Sequence, residues 1–127
     1  MAIRVLRLGT PRSANEGVRI GTVRRPPRGV AKTEFAKQNW YDVWLPIVAP
    51  SADLMSDIHA ERISWGTFTK RYVAEMKEPD AARTIDLLAA LSHTSSFSVG
   101  CYCENEAHCH RSVLRQLLLD RGARIAS

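Results

Sequence analysis

The chain has 127 residues, a mass of 14.2 kDa and 45% hydrophobic residues, enough for one domain spanning residues 1–127 with a real core and too few for a second. No run of 18 apolar residues occurs and charge interrupts Met1-Ala-Ile-Arg-Val-Leu-Arg7, so the expectation is a cytoplasmic protein with no membrane partner and no signal peptide. The net charge of +5 is concentrated in residues 1–28, where seven arginines stand against Glu16 alone.

Residues 2–8 alternate apolar and polar side chains and predict a strand, and Gly17 to Val23 predicts a second with Val18, Ile20 and Thr22 on one face. The segment Arg24-Arg-Pro-Pro-Arg-Gly29 is a stiff loop, because consecutive prolines fix φ and remove donors. Residues 32–39 predict a short helical turn, and Tyr41 to Leu45 a third strand stopped by Pro46. Ser51 is an N-cap for a helix to His59. A helix over Ser64 to Lys77 follows, with Trp65, Phe68, Tyr72, Val73 and Met76 as one buried stripe. Pro79 opens a helix to Ser92 with Ile85, Leu88 and Leu91 facing inward. Phe97 to Cys103 is a strand, Cys109 to Arg121 a helix closed by Gly122, and Arg124 to Ala126 a short terminal strand. This order predicts an α/β fold, one compact domain with a partly parallel sheet flanked by helices.

All three cysteines and two of the four histidines fall within Cys101-Tyr-Cys-Glu-Asn-Glu-Ala-His-Cys-His-Arg-Ser112. A strand that feeds a helix N-terminus through a polar loop presents free backbone N–H groups and a partial positive charge, a natural anion site. Arg111 and Ser112 add two directed donors there, and Arg111 opposes the helix dipole unless an anion or an acid such as Glu104 or Glu106 balances it. Arg24, Arg25 and Arg28 in the proline loop complete the set of anion binders, since a guanidinium fork grips phosphate bidentately.

Three cysteines in one loop cannot form a spread disulfide framework, so reduced thiols are expected. Cys109, at the helix start beside Arg111, is the candidate nucleophile, with His110 as acid or base. The Cys-x7-Arg and Cys-x9-Arg spacings from Cys103 and Cys101 to Arg111 do not match the Cys-x5-Arg of tyrosine phosphatases. Cys101, Cys103, His108, Cys109 and His110 are soft donors, but no second ligand pair lies elsewhere, so neither metal nor other cofactor is assigned.

The segment Arg24-Arg-Pro-Pro-Arg-Gly-Val30, followed by Trp44-Leu, Ala49-Pro-Ser51 and the aromatic helix to Tyr72, resembles the N-terminal half of the bacterial family known as domain of unknown function 488. Cys101-x7-Cys109-His110-Arg111-Ser112 resembles that family's Cys-His-Arg signature. The resemblance covers nearly the whole chain and implies a compact α/β domain with no assigned activity.

Three functions remain open at this point. The first is binding of an anionic small molecule, such as a phosphoester or nucleotide, between the Arg24–Gly29 and Cys103–Ser112 loops, with thiol-dependent chemistry. The second is a non-enzymatic nucleic-acid-binding module using the basic N-terminal segment. The third is a zinc-stabilised interaction domain.

Overall fold

The computed structural model describes residues 1–105 and 108–126. Four strands, β1 (Ile3–Arg7), β2 (Val18–Gly21), β3 (Val43–Trp44) and β4 (Phe97–Cys101), form one sheet in the order β1-β4-β2-β3. Every pairing is parallel, so the sheet is more uniform than the partly parallel one expected. Ile3 faces Phe97 on one side of the central strand and Val18 faces it on the other. Beyond β1, the predicted terminal strand is reduced to a single parallel bridge between Ile3 and Ile125.

Strand β4 is buried at all five positions, as expected where a parallel sheet is covered on both faces. On one face, Ile3, Phe97 and Val99 pack against the helices α1 (Ala52–His59), α2 (Trp65–Glu75), α3 (Pro79–Leu91) and α4 (His110–Asp120). Ser51 and Ser64 cap α1 and α2 by accepting from the Leu54 and Thr67 amides. Phe68, Tyr72 and Met76 are buried as their spacing predicts, while Trp65 and Val73 are half-buried. On α3 the inward positions are Ala81, Ile85, Leu88 and Ala89; Leu91 is 40% exposed, because it lies in the last turn where α3 leaves the core.

Loops, not helices, cover the other face. Arg19 of β2 is fully buried there and pairs with Glu16 at 2.8 Å. It also donates to the carbonyls of Thr10 and Asn39, at 2.8 and 2.7 Å, which fastens the loop after β1 to the loop before β3. Glycine is required where these layers meet. A Cβ on Gly21 would fall 2.3 Å from the Tyr41 ring, and one on Gly100 would fall 2.7 Å from the Leu6 carbonyl oxygen. The third strand keeps only two of its five predicted residues, since Leu45 already donates to Gly21 as the chain turns into Pro46.

Candidate functional site at the strand ends

Because all strands run parallel, their C-terminal ends form one edge of the sheet, the edge where open α/β sheets bind ligands. Here β2 ends at Gly21 with Thr22 just beyond it, β4 ends at Cys101, and α4 begins. A loop that leaves a strand and starts the helix packed on it brings its two ends together at this edge. The sulfurs of Cys101, the last residue of β4, and Cys109, the N-cap of α4, come into contact there, while their Cα atoms stand 7.7 Å apart, wider than a disulfide spans. Cys101 and Cys109 are each 1% exposed, and Cys103 is the half-buried thiol nearer the surface. The three sulfurs all lie within 4.8 Å of one another.

Cys103 is half-buried. Burial pushes its thiol above the ordinary range, against the opposing charges of Arg111 and Arg7. His110 is buried, and its Nε2 lies 2.6 Å from the Thr22 carbonyl, to which it donates. Burial lowers its pKa to about 4, with the Arg111 charge acting in the same direction and the Thr22 bond against it. The ring is therefore neutral near pH 7, holds α4 against the end of β2, and leaves only Nδ1 for any proton transfer. The edge of the Tyr72 ring closes the other side, with centroids 5.8 Å apart.

Arg111 is 5% exposed in the first turn of α4, and its Nη2 donates to the Glu104 carbonyl at 3.4 Å. The Glu104 carboxylate instead pairs with Arg7 at 3.5 Å. Arg7 also donates from Nε to the Tyr102 carbonyl at 3.2 Å, so a guanidinium that sequence reading passed over joins the loop. Glu106 lies outside the described residues. Ser112 directs its hydroxyl back to the Cys109 carbonyl at 2.9 Å, while its outer side lines a groove between α2 and α4.

The proline loop adjoins this edge, since the Tyr102 hydroxyl donates to the Arg25 carbonyl at 2.8 Å. Its arginines diverge in role. Arg24 is committed to the chain, donating to the carbonyls of Pro46, Ala49 and Pro50 at 2.9–3.2 Å. Arg25 and Arg28 are exposed. Elsewhere in the basic segment, Arg12 forms two bonds to Asp42, at 2.8 and 3.0 Å, and Arg19 is sealed with Glu16. The excess charge of residues 1–28 is therefore partly spent inside the fold.

Residues 3–122 match the family described as "Active DUF488-N3 subclade". The chain is also 30% identical over 119 residues to "Uncharacterized protein YeaO" of Escherichia coli (strain K12), covering 92% of this chain and 100% of that protein. No solved structure matches the chain.

Proposed function

We propose that this chain, which belongs to the domain of unknown function 488 family, binds an anionic small molecule of the phosphoester or nucleotide kind at the β4–α4 loop and performs thiol-dependent chemistry there. One observation carries the reading. A buried arginine, the positive end of a helix and three sulfurs converge on the C-terminal edge of an all-parallel sheet. Arg111 supplies a fixed positive charge in a dry setting, where electrostatic attraction is stronger than in water. Arg7 adds charge at the loop, Arg25 and Arg28 are exposed in the proline loop that adjoins it through the Arg25 carbonyl, and His110 holds the start of α4 on Thr22. Cys103 is the sulfur a ligand meets first, with the Cys101–Cys109 pair behind it.

Thermal melting in phosphate, sulfate and a nucleoside monophosphate tests the reading. Millimolar concentrations of at least one should raise Tm in wild type; Arg111→Ala should abolish the rise, and Arg111→Lys should retain part of it. A wild-type Tm indifferent to all three anions would remove the site.

A further inference from the structure

The cysteine cluster has a property that the anion reading does not use. The grouped ligand atoms are Cys101, Cys103 and Cys109 alone, and no histidine nitrogen or carboxylate oxygen joins them among the described residues. We propose that the thiolates of Cys101, Cys103 and Cys109 hold one soft d10 cation, copper(I), in a three-coordinate site.

The spacing is within reach. A metal–sulfur distance of about 2.3 Å places the sulfurs of a trigonal site about 4 Å apart; all three already lie within 4.8 Å, and Cys101 and Cys109, whose sulfurs are in contact, move apart as the ion enters. Ligand chemistry then selects the ion. Thiolates reject magnesium, calcium and manganese, which take oxygen, and favour copper(I) and zinc. Zinc takes a fourth ligand, from the protein in structural sites and from water or substrate in catalytic ones, whereas three soft donors complete the coordination of a monovalent d10 ion.

Charge and access agree with this assignment. Three thiolates around a monovalent cation leave two negative charges, and two guanidiniums are anchored in the same loop. Arg7 is held on the Tyr102 carbonyl and Arg111 on the Glu104 carbonyl. The start of α4 adds its partial positive charge at Cys109. Cys101 and Cys109 are each 1% exposed, so two ligands are dry, and half-buried Cys103 is the point of entry.

No redox step is needed: copper(I) enters as a monovalent ion, and the three thiols release their protons to solvent as thiolates take it up.

The test is an anaerobic titration of the reduced full chain with copper(I) supplied as its acetonitrile complex, against a chromogenic copper(I) chelator. Wild type should bind one copper per chain with thiolate-to-copper charge-transfer absorption, and Cys103→Ser should lose affinity by about tenfold or more. Cys103 is the least buried of the three, so this variant leaves the core intact; an unchanged circular dichroism spectrum and urea midpoint verify that. Less than half an equivalent bound by wild type, or equal affinity in Cys103→Ser, overturns the site. Zinc(II) retained in preference to copper(I) overturns it too. A phosphate-dependent Tm shift without copper binding sinks this proposal alone, and copper binding without any anion shift sinks only the anion reading.

Discussion

His110 donates to the Thr22 carbonyl across 2.6 Å and so ties the first residue of α4 to the end of β2. Its pKa is lowered from 6.5 to about 4, chiefly by burial. The unfolded chain therefore binds the proton more readily, and stability falls as pH drops from about 6.5 to about 4. The loss amounts to about 3 kcal/mol at most. His110→Gln removes this titration, so the stability gap between wild type and variant should narrow across that window in urea unfolding series. A gap that stays constant from pH 7 to pH 4 would show that the ring does not titrate as described.

Glu16 and Arg19 form an ion pair with almost no solvent contact. Burial pushes the Glu16 carboxyl up, but the hydrogen bonds and charge of Arg19, with help from Arg12, outweigh it and lower its pKa. Removing one partner leaves a buried charge uncompensated, so Glu16→Ala and Arg19→Met should each cost about 3 kcal/mol or more in denaturant unfolding. A cost under about 0.5 kcal/mol, the scale of surface substitutions, would contradict the burial of this pair.

Thiol accessibility follows from burial. In native protein, iodoacetamide should react first at Cys103, with a rate that climbs toward alkaline pH because burial raises that thiol. Cys101 and Cys109, each 1% exposed, should become reactive after unfolding in denaturant. Peptide mass mapping decides the point, and label on Cys109 of the native protein at a rate equal to that of Cys103 would refute its burial.

Two glycines with left-handed backbones provide a matched comparison. Gly17 has φ +79°, and a Cβ there would lie 1.9 Å from the Ser96 carbonyl oxygen; Gly29 has φ +70° and nothing within 4 Å. Gly29→Ala should cost about 1 kcal/mol from backbone strain alone. Gly17→Ala should cost about twice that or more, since β2 must also move away from the segment entering β4. Equal Tm losses would mean that the contact relaxes freely.

Much of this architecture was legible in the amino-acid pattern because helix stripes and strand alternation report burial directly. Phe68, Tyr72 and Ile85 are buried where their spacing places them. The meeting of Cys101 and Cys109 is a weaker signal in the sequence: one cysteine at the end of a strand and another at the next helix start share a sheet edge only once the loop between them returns to that strand. Arg19 belongs by composition to the basic segment, while Glu16, three residues earlier and the lone acid there, marks it as paired. Arg24 shows the converse. Its attraction to anions was legible, but the main-chain carbonyls it engages come from residues 46–50, a long-range contact that no local pattern reports.

The position of β4 between β1 and β2 constrains how the molecule is made. Neither β1 nor β2 pairs with the other; each waits for residues 97–101. As the chain leaves the ribosome, more than two thirds of it must emerge before the sheet can close, and until then only the two-residue pairing of β2 with β3 is available. Loop-closure entropy makes such long-range pairing slow. The helices α1 to α3, which are local and precede β4, are therefore the structure able to form first. The cysteine loop lies beyond β4, so its sulfurs are gathered only in the last step of assembly.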